Sequence, residues 1–172
     1  MRIGSGVEWA VHCCTILAVV PAGRAISAQR LAEFHGVPQP YLAKHLQALV
    51  RSGLVESVPG PRGGYRLARA AEDISLLDVV LAVDGDEPAF TCSEIRQRGP
   101  AAQPPAAYRG ACGIAAAMWA AERAWRDALA AVTIAALNEG VLRDAPPAQL
   151  AGSATWLRDA LTPTNRPRRS HP

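Results

Sequence analysis

Two groups of residues in this chain have side chains suited to recognition or ligation. Between residues 39 and 51, Leu42, Leu46 and Leu49 recur on one helical stripe, so the opposite face presents Pro40, Tyr41, Lys44, Gln47, Ala48 and Arg51. Lys44 and Gln47 suit base edges, Arg51 and Tyr41 suit phosphate oxygens, and the unpaired amides at a helix start near Gln39 suit a phosphate. Arg62, set among glycines and prolines, adds a cation at the tip of a turn. The second group is the four cysteines, Cys13, Cys14, Cys92 and Cys112. The start of the chain lacks the small-residue cleavage pattern of a secreted protein, so a cytoplasmic location is expected, where thiols are buried groups or ligands before they are bridges. Cys13 and Cys14 fall inside an apolar helical run and read as core packing, whereas Cys92 and Cys112 flank a proline-rich stretch.

The elements that must position these groups follow from periodicity and punctuation. Ser5 and Glu8 have capping-box spacing, and Trp9, Cys13, Ile16 and Val20 then predict a first helix over about 6–20, ended by Pro21. Ser27 is placed to cap a second helix closing near His35 and Gly36. A tight turn over 37–40 leads into a third helix from about Gln39 to Ser52, stopped by Gly53. Two short extended runs, 54–58 and 65–67, are separated by Pro59, Gly60, Pro61, Arg62, Gly63 and Gly64, which reads as a hairpin with a glycine-rich tip. Ser75 and Asp78 open a fourth helix that ends at Asp84 and Gly85. Residues 86–110 have no sustained period and read as a long irregular loop. From Ile114 through Met118, Ala121, Trp125, Leu129 and Val132 the spacing predicts one amphipathic helix of about seven turns that needs a partner for its apolar face. Pro146 and Pro147 then break the chain before a short helix near Trp156, and the segment from Pro163 is expected to be mobile.

The expected fold class is therefore mainly α with a small β-hairpin wing: a winged helix-turn-helix unit over 1–84, a loop over 85–112, a long helix over 113–140 and a C-terminal segment over 141–172. In this arrangement the second helix of the pair enters the major groove of double-stranded DNA and the wing reaches the backbone. Several alternatives are set aside by composition. The formal charge of +3 is too small to argue for nucleic acid by itself, so local patches carry that reading. No apolar run reaches the length of a membrane span. No phosphate loop, general base or substrate-pocket motif is visible, so the chain is not read as an enzyme.

The residues Gly6-Val7-Glu8-Trp9-Ala10, Pro40-Tyr41-Leu42, Gly53-Leu54-Val55, Gly60-Pro61-Arg62-Gly63-Gly64-Tyr65-Arg66-Leu67 and Ile74-Ser75-Leu76-Leu77-Asp78-Val79, with Cys92 and Cys112, resemble the Rrf2 family of winged-helix regulators over roughly residues 1–137. The resemblance implies a homodimer paired through the long helix and bound to a two-fold symmetric operator, usually as a repressor. Many members hold an iron-sulfur cluster through three cysteines in the loop before that helix, but this chain has only two there. The resemblance is closest to the redox-sensing RsrR branch, and it implies a ligand set of Glu8 and His12 from one subunit with Cys92 and Cys112 from the other. Glu8 and His12, four residues apart, share a helix face. A [2Fe-2S] cluster is the species implied, with [4Fe-4S] or zinc as alternatives on the same ligands. Other functions left open are a nitric-oxide or cluster-supply sensor and a zinc-bound or cofactor-free regulator.

Overall fold

The computed structural model describes residues 4–61 and 63–162. Helix α1 (Ser5–Ala18) buries Gly6, Val7, Ala10, Cys13, Cys14 and Leu17, a spacing that places them on one inward face. The capping box anticipated at Ser5 and Glu8 does not form. Gly4 is the N-cap, without a side-chain hydrogen bond, and Ser5 is already the first helical residue. Helix α2 (Ala28–His35) is capped as expected, with Ser27 Oγ accepting from the Arg30 amide at 3.2 Å, and Gly36 closes it in the left-handed region. Helix α3 (Gln39–Arg51) follows Pro38 and turns Leu42, Leu46 and Leu49 fully inward.

Strands β1 (Val55–Val58) and β2 (Gly64–Leu67) form an antiparallel hairpin, paired from Val55 with Leu67 to Val58 with Gly64. The hairpin is tied to the body at its root: the Ile26 amide donates to Tyr65 O at 3.0 Å, and the Tyr65 amide donates to Ile26 O at 2.8 Å. Helix α4 (Leu76–Asp84) has the predicted capping box, with Asp78 Oδ2 accepting from the Ser75 amide at 2.8 Å and Ser75 Oγ accepting from the Asp78 amide at 3.1 Å. One core joins these elements through Cys13, Cys14, Ile26, Leu31, Leu42, Leu46, Leu49, Val55, Ile74 and Val79.

The segment from 86 to 112 has only short 3-10 turns, yet it is folded on itself. The Tyr108 hydroxyl donates to Arg96 O at 2.6 Å and accepts from the Gln103 amide at 2.9 Å, while the Arg96 guanidinium lies 4.9 Å from the Tyr108 ring centre.

The single seven-turn helix expected over 113–140 is corrected to two. Helix α5 (Gly113–Ala130) stops, and helix α6 (Ile134–Asp144) begins after Thr133, whose Oγ1 accepts from the Ala136 amide at 3.1 Å. The break has a tertiary cause. The Leu76 amide donates to Val132 O at 2.8 Å and the Ile134 amide to Ile74 O at 2.9 Å, drawing the β-branched run 132–134 into extended pairing beside α4. Ile134 is fully buried in the core, so α6 returns to the body. The short helix anticipated near Trp156 is a 15-residue helix, α7 (Pro147–Leu161), with Trp156, Leu157 and Leu161 packed against the core. The expected mobile segment from Pro163 lies outside the described residues.

Candidate nucleic-acid interface and thiol loop

Helix α3 presents Gln39, Pro40, Tyr41, Lys44, Gln47 and Arg51 to solvent, with Tyr41 64% exposed. Ala48 departs from the expectation: it is 7% exposed, part of the inward face rather than of the outward one. Arg62 lies outside the described residues, but the turn around it is tightly set. The Gly63 amide donates to Gly60 O at 2.9 Å, and a Cβ on Gly63 would sit 2.0 Å from Val58 O.

The outward face of α3 is held from behind by α1. A Cβ at Gly6 would lie 2.3 Å from the His45 ring, and Trp9 meets that ring edge-on at 6.0 Å between centres. His45 thus wedges α3 against the first turns of α1. Its imidazole is held below the usual histidine range by burial first and by Lys44 second, with Asp84 opposing.

The four thiols fall into two chemical classes. Cys13 and Cys14 are fully buried, and burial pushes both up to about 12, so they are protonated packing groups as anticipated. Cys92 and Cys112 are half-buried. Cys112 is the N-cap of α5, where its Sγ accepts from the Ala115 amide at 3.3 Å. Cys92 and Ala111, the neighbour of Cys112, line one open cavity of about 630 Å³ together with Phe90, Trp119, Glu122 and Arg126.

Arg96 is a residue that sequence patterning missed. It ties Glu94 at 2.8 Å to Gly110 O at 3.0 Å and so fixes the approach to Cys112. Nothing periodic in the sequence marks it; only the fold brings its partners together. Arg126 likewise bridges Asp86 at 2.6 Å and Glu122 at 3.1 Å, fastening the start of the loop to α5.

Glu8 and His12 are exposed on α1. The His12 ring lies 5.7 Å from that of His35, whose Nε2 is buried without a hydrogen-bond partner among the described residues. Within a single chain, the described residues bring no three potential ligands of the His, Cys, Asp or Glu type together. The structure therefore places Cys92 near the Cys112 end of the loop and keeps Glu8 with His12, but it does not join the two pairs inside one protomer.

The succession of α2, α3, hairpin and α4 is reflected in comparisons with known proteins. Residues 3–140 match Rrf2, described as an iron-dependent transcriptional regulator. The chain belongs to the Rrf2 family. Its relatives include the HTH-type transcriptional regulator Rv1287 of Mycobacterium tuberculosis, 33% identical over 143 residues, which are 83% of this chain and 84% of that one. YffB of Lactococcus lactis is 41% identical over 85 residues, 49% of this chain, and the match spans about half, 54%, of that relative's length.

Among solved structures, the oxidized form of CymR from Staphylococcus aureus aligns with a TM-score of 0.58 and 27% identity over 81% of this chain and 97% of that one. IscR of T. potens aligns with a TM-score of 0.59 over 87% of this chain and 91% of that one; at 24% identity it speaks for the fold alone. This Rrf2 chain accordingly has the winged-helix fold of the family's HTH-type transcriptional regulators. Among its described residues no helix is long and apolar enough to cross a membrane.

Proposed function

We propose that this Rrf2 protein is a homodimeric repressor whose operator affinity responds to the redox state of a [2Fe-2S] cluster, held by Glu8 and His12 of one subunit and Cys92 and Cys112 of the other. The observation that carries the reading is the division of the thiols. Two are sealed in the core, and two are reachable on one loop, one of them at the start of helix α5. Glu8 and His12 supply a carboxylate and an imidazole on one exposed helix face, a donor set that fits iron-sulfur iron when added to two thiolates. When bound, such a cluster supplies a one-electron centre whose potential is raised by replacing thiolates with neutral histidine.

The protein's own part is positional. Helix α1 carries Glu8 and His12, and the same helix braces α3 through the Gly6–His45 and Trp9–His45 contacts. A displacement of α1 is thereby felt by the DNA-facing helix without an intermediate element. Helix α5, which follows Cys112, leaves Ile114 73% and Met118 44% exposed, an apolar face suited to a second copy. The oxidized form known for the related CymR supports a redox reading within this fold.

Anaerobic purification followed by an absorbance spectrum and by iron, sulfide and zinc analysis tests the proposal. Two irons and two sulfides per site are expected, with colour lost in Cys92→Ala and Cys112→Ala. Zinc without iron, or spectra unchanged in both variants, defeats it. Redox control further requires the two states to differ in operator affinity by ~1–3 kcal/mol.

A further inference from the structure

The cavity beside Cys92 belongs to the thiol loop, but a second hollow, where the end of α1 meets the exit of the wing, has no part in that site. Pro21 follows the last turn of α1, the Arg24 amide donates to Pro21 O at 3.1 Å, and Gly23 at φ +77 lets the chain turn back. Strand β2 leaves the hairpin on the other side, where the Ala68 amide donates to Leu54 O at 3.0 Å. Between these segments lies a cavity of about 330 Å³, at the lower end of the range for small-molecule sites.

Two kinds of surface meet in it. Leu17, Val20 and Leu67 contribute apolar wall, and Arg24, Arg66 and Arg69 line it as cations. No acid lines it among the described residues; Glu72 and Asp73, close by in sequence, are exposed elsewhere. Two of the arginines are held in place. Arg66 Nε donates to Glu56 Oε1 at 2.6 Å, and the Arg24 guanidinium donates to Leu161 O at the end of α7. The terminal nitrogens of Arg66 and the whole of Arg69 make no hydrogen bond or ion pair to protein among the described residues. Three guanidinium groups thus face a single carboxylate, that of Glu56, beside an apolar wall. A bare phosphate would answer the charge and leave the wall wet, whereas a neutral hydrocarbon would cover the wall and leave the charge unanswered.

We propose that this hollow is a binding site for a small amphipathic carboxylate. Its carboxylate accepts from Arg69 and from the free nitrogens of Arg66, whose planar forks match two carboxylate oxygens at once. Its hydrocarbon body lies against Val20 and Leu67 and is driven there by burial of apolar surface. Arg24, tied to α7, holds the rim. Because one wall belongs to the end of α1 and the other to the exit of β2, an occupied site links those two elements beside the Ile26–Tyr65 pairing. The site requires neither a cluster nor bound DNA.

The test titrates the full chain with hexanoate, and separately with hexylammonium and inorganic phosphate, followed by calorimetry and by amide NMR shifts. Hexanoate should bind saturably with a Kd of about 1 mM or below, with shifts concentrated at Gly23, Arg24, Leu67 and Ala70. Hexylammonium should not bind, and phosphate should bind about tenfold more weakly than hexanoate or not at all. Arg69→Gln should weaken hexanoate about tenfold, the scale of one lost charge-assisted hydrogen bond. Ala22→Leu, which fills the hollow and leaves all three arginines, should abolish hexanoate binding; urea midpoints like that of the parent chain show that both variants fold. No binding of hexanoate, equal binding of hexylammonium, or shifts centred on Phe90 and Trp119 overturns the site. Phosphate binding as tight as hexanoate overturns the amphipathic assignment. Unchanged hexanoate binding in both folded variants overturns the assignment to this hollow.

Discussion

Replacing Gly64 with alanine tests whether the wing is held where DNA recognition requires it. Gly64 opens β2 at φ +149, and an added Cβ would meet Ile26 O at 2.3 Å, Ile26 C at 2.4 Å and Ser27 N at 2.7 Å. All three atoms are backbone, so no side-chain rotation can relieve the clash. The strand must withdraw, and the two hydrogen bonds between Ile26 and Tyr65, 3.0 and 2.8 Å long, are lost with it. Each contributes about 1 kcal/mol net, and placing a Cβ at positive φ costs about 1 kcal/mol more. The total is about 3 kcal/mol, a large share of the roughly 5–15 kcal/mol that holds a domain folded. For a chain of this size that corresponds to a fall of about 6–12 °C in Tm.

Urea and thermal denaturation measure the effect, with Gly23→Ala as the comparison. Gly23 has φ +77 but nothing within 4 Å of a Cβ, so it should show only the conformational cost of about 1 kcal/mol. A folded Gly64→Ala chain should also bind DNA more weakly, because the wing is no longer fixed to the segment before α2. If Gly64→Ala is no less stable than Gly23→Ala, the close approach of the wing to residues 26–27 does not restrain the fold and the reasoning fails.

Lys44→Ala should weaken binding to a selected operator by about 1–3 kcal/mol and relax preference at its base, whereas Arg51→Ala should weaken all sequences alike and lower the salt slope by about 1; competition binding separates the two. Alkylation at pH 8 of the native, metal-free chain should modify Cys92 and Cys112 but spare Cys13 and Cys14, which burial holds near 12; mass spectrometry counts the adducts before and after unfolding. Burial holds the His35 and His45 imidazoles below the ordinary 6.5, aided by His12 and Lys44 respectively. Their contribution to stability is therefore complete above pH 6.5 and is lost as the pH falls through the folded-state values, because the unfolded chain takes up protons first. The urea midpoint should drop between pH 7 and 5.5, and less steeply in His35→Gln and His45→Gln.

Much of the architecture could be read along the chain because it is set by local chemistry. Ser27 caps α2, Ser75 and Asp78 form their reciprocal box, Gly36 closes a helix in the left-handed region, and the leucine stripe of α3 selects the face left to solvent. Each of these depends on residues within one or two turns of each other, and periodicity reports such relations directly. The same local view misjudged Ser5, since a capping box needs the chain to turn at that residue and here it turns at Gly4. It also placed Ala48 with Lys44 and Gln47, although the helix buries it.

What tertiary structure decided were relations between segments far apart in the chain. An unbroken amphipathic pattern over 114–132 gives no hint that Val132 and Ile134 will pair with residues 74–76, yet those bonds end α5 and return α6 to the core. The sequence names Glu8, His12, Cys92 and Cys112 as chemically able residues, but that no three such ligands meet among the described residues of one protomer is a matter of packing. Arg96 and Arg126 carry no periodic signal at all, and α7 was legible only as a short helix near Trp156. Their partners are set by long-range contacts, and hydrophobic periodicity records which face a helix buries without recording what it is buried against.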